Sequence, residues 1–422
     1  MIAEHDGSTK EAPSSSQQLD HDHNEEKEHF ESVCEAYRQY ANFAMCQWAS
    51  HEFRLKSLPR SQQELLPAGL RFGTSEYSKR HKEYKDAVIR NQFCLDCILR
   101  HAGQPHSQQQ RHQSKTTTVT DDQLSKVSSV LKSLMRDWSS CGETERIAAY
   151  GPIKSFVKKY LPLDPNTSVA HKPPQIVVPG SGVGRLAFEL ASMGYSVQGN
   201  EFSMYMLLAS DFILNNGGHI CNPERPLNLS PWLLESRNVH TSTDQLRTIQ
   251  VPDVDPVTML LPPHDDNQKS SGSFPEFSMA AGDFSAIYNT EPGVWDCVAS
   301  CFFVDACPNI VEILQVIYKM LKPGGIFINL GPLLYHFSGP PLGPNDRSIE
   351  EYRHRYDHLD TRYLTSINLC YDDIKEIMNE IGFEILEEEI GVECYYTADQ
   401  RSMMNTKYKC VCFVAQKKDN LK

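Results

Sequence analysis

No stretch of roughly 18 or more uninterrupted apolar residues occurs in this chain, so nothing in it reads as a membrane span. The opening MIAEHDGSTKEAPSSSQQLDHDHNEEKEH lacks the basic start and apolar core of a secretory signal. Positive charge is also short: 41 Lys and Arg against 54 Asp and Glu leave a formal net charge of -13. That balance argues against a broad electrostatic grip on nucleic acid or on an anionic membrane, and suits a small or cationic substrate better. The 13 cysteines are odd in number and scattered through apolar segments, which fits reduced thiols rather than a disulfide framework. The cytosol is the expected compartment, with the nucleus left open. No internal repeat is present. No metal site is expected, because the CLDC pair at Cys94 and Cys97 sits in a helical stretch with no second pair.

What is present begins with a Ser-, Gln-, His- and acid-rich stretch over 1–24, with little to bury, which reads as disordered. From residue 25 a helical period takes over, with Phe30, Val33, Cys34, Tyr37 and Tyr40 on one face. A second helix is predicted over 75–100, a polar linker over 101–120, and a third helix after Asp121 and Asp122 as N-cap. Leu124, Val127, Leu131, Leu134 and Trp138 share its inner face. Residues 143–161 read as two short helices, the second with Pro152 at its first position.

The period then changes. A β-branched run, Ile176, Val177 and Val178, runs into a glycine loop, and strands alternate with helices from there. Strands are predicted over 195–200, 295–301 and 325–330, and helices after the loop, over 203–215 and over 310–321. A helix over 371–381 then precedes two pairing terminal strands. This is an α/β pattern: a doubly wound, mostly parallel sheet behind a helical N-terminal region. Pro-rich 219–278 and polar 338–365 read as insertions, the first irregular and the second a lid.

Four elements bear on chemistry. QIVVPGSGVGRLAFE places Gly180, Gly182 and Gly184 between strand and helix, where a ligand must approach the backbone. The spacing departs from the dinucleotide fingerprint, whose last small position is Arg185 here. Glu201 ends the next strand, suited to a ribose diol. MAAGDF puts Asp283 and Phe284 after the third strand, for an adenine amino group and ring. KMLKPGGIFINLGP supplies a helix end, a turn and a buried strand. Each could merely be a turn or a cap, but that would have to hold four times over.

In this order the pieces resemble the class I, Rossmann-like S-adenosylmethionine-dependent methyltransferases. The flanking motifs narrow the likeness: RDWSSCGETER (136–146), GNEFS (199–203), VPDVDP (251–256), WDCVASCFFVDA (295–306) and INLGPLLYHF (328–337). With these the chain resembles the carnosine N-methyltransferase family, over most of its length from about residue 25. The resemblance implies S-adenosyl-L-methionine as cofactor and a histidine-containing dipeptide as substrate, methylated on an imidazole nitrogen. It also implies a homodimer, and divides the chain into a tail (1–24), a helical region reaching the cofactor site (25–172) and a methyltransferase domain (173–422). Arg136 is then expected to pair with the cofactor carboxylate, Cys301 to join the cofactor residues, and Asp305, His336, Tyr396 and Tyr408 to hold the dipeptide. Asp305 is expected to accept the substrate N–H and fix its tautomer; His336 shares that contact or binds the polar tail. Competing readings are a methyltransferase for proteins or other small molecules, a nicotinamide-dependent oxidoreductase and a non-catalytic scaffold.

Overall fold

The structure, a computed structural model, describes residues 15–104, 119–163, 172–260, 275–344, 347–357 and 361–418. Among the described residues four long helices precede the sheet: α1 (Ser15–Lys56), α2 (Ser75–His101), α3 (Asp121–Trp138) and α4 (Glu143–Tyr160). Helix α1 begins within the stretch expected to be disordered, so residues 15–24 are helical; residues 1–14 lie outside the described residues. Most of the expected 101–120 linker lies outside them too. Thr120 rather than Asp121 caps α3, through a reciprocal capping box with Gln123.

The stretch 143–161 is one helix, not two, with Pro152 inside it. Proline there deprives the Ala148 carbonyl of its usual donor, and the Cys394 thiol supplies one at 3.6 Å. Tertiary contact thus overrides a local break signal.

The catalytic region opens with β1 (Gln175–Pro179), α5 (Arg185–Ser192), β2 (Ser196–Glu201) and α6 (Met204–Leu214). The Pro-rich stretch expected to be irregular then forms an antiparallel hairpin, β3 (Leu227–Leu229) and β4 (Ile249–Val251). Leu227, Leu229, Leu233, Ile249 and Val251 are buried in one core with α1, α2, α3 and α6. Three-residue strands among prolines are too short to show a period. The low-complexity patch of this insertion, within 261–274, lies outside the described residues.

Next come β5 (Phe277–Ala281), β6 (Trp295–Cys301), α7 (Ile310–Met320), β7 (Leu321–Gly331), α8 (Tyr371–Ile381), β8 (Phe383–Thr397) and β9 (Thr406–Lys417). The seven-stranded sheet runs β5-β2-β1-β6-β7-β9-β8. Every pairing from β5 to β7 is parallel, and β9 is antiparallel to both neighbours. Alternate residues of β1 feed opposite faces: Ile176 and Val178 join the core with α4 and α5, Val177 the core with α7 and α8. The sheet is doubly wound and mostly parallel, as expected. Strand order reverses between β1 and β6, so a ligand crevice opens at their carboxyl ends. No described helix is long and apolar enough to cross a membrane.

Candidate active site

At the end of β1 the chain turns through Gly180, Gly182 and Gly184, with φ of 61°, 57° and 84°. A Cβ on Gly180 would come within 2.8 Å of the Phe303 ring, and one on Gly184 within 2.9 Å of Leu214. A Cβ on Gly182 would meet nothing within 4 Å. Gly182 therefore faces open space, while its neighbours are pressed against the fold.

Glu201 closes β2 beside this loop. Its carboxylate accepts from the Gly182 N–H at 2.8 Å and the Ser203 N–H at 2.7 Å. Burial raises its pKa, opposed by those backbone donors. The two bonds aim the carboxylate while leaving it lone pairs for a further donor.

Arg136 reaches the same space from the last turn of α3. Its Nε and Nη2 donate to Asp137 at 2.9 and 3.2 Å, and Asp137 also accepts from the Tyr150 hydroxyl at 3.0 Å. The Asp137 carboxylate is the main cause holding this guanidinium's pKa above its ordinary value. The turn is pinned to the glycine loop by the Trp138 indole, which donates to the Val183 carbonyl at 2.9 Å. Arg146 donates to the Arg136 and Ser139 carbonyls at 2.6 and 2.7 Å, and to Asp253 at 2.9 Å. Asp253 also accepts from Arg185 at 2.6 Å, and its N–H donates to the Trp138 carbonyl at 3.0 Å. Motifs far apart in sequence, 136–146, the glycine loop and 251–256, are thus one buried network. Gly142 belongs to it: a Cβ there would lie 1.9 Å from the Arg136 carbonyl oxygen.

These groups open on one cavity of 1610 Å³. Arg136, Gly180, Gly182, Glu201, Asp283, Phe284, His336 and Tyr396 line it. Asp283 also caps the short helix Phe284–Tyr288, accepting from the Ala286 N–H at 3.0 Å, so it is both cap and wall. Four expected site residues do not reach the wall. Gly184 caps α5. Cys301 is half-buried at the end of β6, where burial is the main cause raising its thiol pKa. Tyr408 is half-buried, its ring 6.2 Å from that of Tyr396 and 6.1 Å from that of Phe302.

Asp305 is the fourth, and its placement revises its expected role. It is 1% exposed, and its carboxylate accepts from the Leu334 N–H at 2.9 Å. Its carbonyl accepts from the His336 N–H at 3.0 Å. Burial raises its pKa. Asp305 therefore sits behind the wall and holds the loop that presents His336 to the cavity.

The residues match the family model for carnosine N-methyltransferase over 113–419. The chain belongs to the carnosine N-methyltransferase family. Relatives carrying that name include the mouse protein, 37% identical over 398 residues, covering 93% of this chain and 86% of the relative. The fission yeast protein (Schizosaccharomyces pombe) is 33% identical over 374 residues, covering 88% and 90%. A solved complex of phosphoethanolamine N-methyltransferase 2 from Haemonchus contortus with S-adenosyl-L-methionine aligns at 14% identity and a TM-score of 0.35, covering 72% of this chain and 62% of that one. The fold assignment rests on the sheet order given above.

Several wall residues of this family member were not among the expected site residues. Phe302 and Phe303 follow β6, and Phe302 has φ of 55°, unusual for an aromatic residue. The hydrophobic run 301–304 reads as strand core, and nothing in its composition marks the reversal. Trp232 and Arg247 come from the insertion and Asp399 from the β8–β9 turn. They meet only because two segments 152 residues apart are folded together. From 338–365, Arg362 lines the cavity and lies over the rings of Phe202 at 5.4 Å and Phe337 at 4.7 Å. Among the described residues no three His, Cys, Asp or Glu side chains converge as a metal-ligand set.

Proposed function

We propose that this protein is an S-adenosyl-L-methionine-dependent N-methyltransferase that methylates an imidazole nitrogen of carnosine, β-alanyl-histidine, giving anserine. The observation that carries the reading is the shared cavity: the open face of Gly182, the aimed carboxylate of Glu201 and the guanidinium of Arg136 line it together with His336 and Tyr396.

The donor end fits the cofactor. When bound, S-adenosyl-L-methionine supplies a methyl group on positively charged sulfur. Gly180 and Gly182 let the backbone approach, Glu201 takes ribose hydroxyls, and Arg136 offers a guanidinium fork to a carboxylate. Asp283 and Phe284 suit the amino group and face of an adenine.

The acceptor needs little activation, since a free imidazole with pKa of about 6.5 is largely neutral at pH 7. What the chain must do is hold the right nitrogen forward and exclude water. A His336 ring nitrogen accepts a hydrogen bond from the substrate's N–H, leaving the opposite nitrogen's lone pair free to take the methyl group as its bond to the donor sulfur breaks. The N–H proton stays on the resulting imidazolium, whose charge that hydrogen bond stabilises. Asp305 acts through His336 by fixing its loop. Phe302 and Phe303 dry the junction, and Tyr396 offers its hydroxyl to the dipeptide.

Labelled cofactor incubated with carnosine, homocarnosine, free histidine and a protein extract tests this. Carnosine should gain one methyl, located on the imidazole by tandem mass spectrometry. Label appearing only in protein would overturn the assignment.

A further inference from the structure

The outer wall of the cavity is made by two segments that meet edge to edge. Val239 and Ser402 form an antiparallel bridge, the Met403 N–H donates to the Asn238 carbonyl at 2.8 Å, and the Ser402 hydroxyl donates to the same carbonyl at 3.3 Å. Arg247 locks the seam. Its guanidinium lies 3.2 Å from the centre of the Trp232 ring and pairs with Asp399 across the junction. Asp399 in turn accepts from the Arg401 N–H at 3.1 Å, which shapes the turn.

Charges on this wall divide into committed and uncommitted groups. Glu235 is paired with Lys132, Asp399 with Arg247, and Asp244 accepts from Thr241. Arg237 and Arg401, one on each side of the seam, line the cavity, and their side chains have no ion-pair or hydrogen-bond partner among the described residues. In a chain of net charge -13, two exposed arginines without an ion pair on the wall of one cavity run against the overall composition. Arg401 and Arg247 lie near Asp244 and add to the Thr241 hydrogen bonds that hold its carboxyl below its ordinary range, without forming an ion pair with it among the described residues.

We propose that Arg237 and Arg401 form a carboxylate subsite for the acceptor, assembled across the seam that Arg247 and Asp399 hold closed. The inference rests on the reading of a carnosine acceptor, whose histidine carries a free carboxylate beside the ring to be methylated. A guanidinium pair recognises that group by charge-assisted hydrogen bonds. It would select acceptors whose histidine is C-terminal over those in which the carboxylate is capped.

The test is calorimetric, in the presence of S-adenosylhomocysteine, so that it does not depend on turnover. The wild-type protein should bind carnosine about 10-fold more tightly than carnosine amide. Arg237→Gln and Arg401→Gln should each lose about 3- to 5-fold for carnosine and little for the amide, and together abolish the preference. Asp399→Asn should weaken carnosine binding in the same selective way while leaving the affinity for S-adenosylhomocysteine unchanged. Equal wild-type affinity for acid and amide would overturn the subsite, as would a double variant that keeps the preference. Discrimination in binding with no methylation of carnosine would leave the subsite standing and remove the proposed reaction instead.

Discussion

The donor end of the cavity is held by buried charge and backbone, whereas the acceptor end is held by exposed segments pinned at a few points. Around the glycine loop, Arg146, Arg185 and Asp253 form a largely buried cluster, and Trp138 and Glu201 bond directly to loop backbone. Around the acceptor wall, Arg237, Arg401 and Tyr396 are exposed, and the segments carrying them are joined through Arg247 and Asp399. The difference matches what each end must recognise. An invariant cofactor is best met by a preorganised cradle, because no reorganisation is then needed on binding. An acceptor wall built from an insertion and a hairpin turn can be altered without disturbing that cradle.

The comparison breaks most visibly at Asp253. Asp253→Ala leaves Arg146 and Arg185 without their shared carboxylate while both remain buried. A loss of about 3–5 kcal/mol is expected in urea unfolding, since the buried Arg146 charge is left without a carboxylate while Arg185 keeps only Glu189, at 2.8 Å. Cofactor binding should fall with it, because the turn carrying Arg136 is tied to the same residue. The matching cut at the acceptor end, Asp399→Asn, should cost far less stability, because its ion pair bridges segments that are only locally docked. Equal losses at the two positions would show that the ends do not differ as described.

Asp305 stands between the two. Asp305→Asn should lower turnover about 10²-fold by weakening the charge-assisted bond from the Leu334 N–H that sets the His336 loop, with S-adenosylhomocysteine affinity unchanged in calorimetry. Stability should move the other way. Burial raises the pKa of Asp305, so its contribution to folding is fully present below the ordinary carboxylate pKa and is lost as pH rises through the raised value. Replacing it with a neutral amide removes that loss, so the variant's melting temperature at pH 7 should equal or exceed the wild type's. A lower melting temperature would make the loop contact to Leu334 worth more than the desolvation of the charge. Glu201→Ala comes next, weakening cofactor affinity by about 1.5–3 kcal/mol while sparing carnosine affinity.

Much of the donor end was legible because its chemistry is local. A strand, three glycines and an acid at the end of the next strand lie within one short stretch of chain, and the structure places that loop at the switch point. The position of Asp305 was not legible. A carboxylate just past a central strand points toward the crevice on fold grounds, but here the chain reverses at Phe302 and the Leu334 N–H captures the side chain. The 219–278 insertion misled for a different reason. Its two strands bury alternate residues over only three positions each, and prolines around them mimic irregular structure. The outer wall could not be read at all, since Arg247 and Asp399 meet only through tertiary folding. Within α4, the thiol that compensates Pro152 comes from β8, so a helix-breaking residue is kept inside a helix by a partner 246 residues from the relieved carbonyl.

The smallest effect is the sharpest test of how firmly the donor end is held. Thr120 caps α3 at the end opposite Arg136, accepting from the Gln123 N–H at 3.3 Å and donating its own N–H to the Gln123 side chain at 2.8 Å. Thr120→Ala should cost about 1 kcal/mol of stability, the usual value of an N-cap side chain. Arg136 should not feel it, because the last turn of the helix is fixed independently by Trp138, Asp137 and Arg146. Calorimetry on Thr120→Ala should therefore give the wild-type affinity for S-adenosylhomocysteine despite the lower unfolding free energy. If affinity fell in proportion to stability, the helix would be acting as a single lever, and the donor cradle would depend on the whole of α3 rather than on the network at its end.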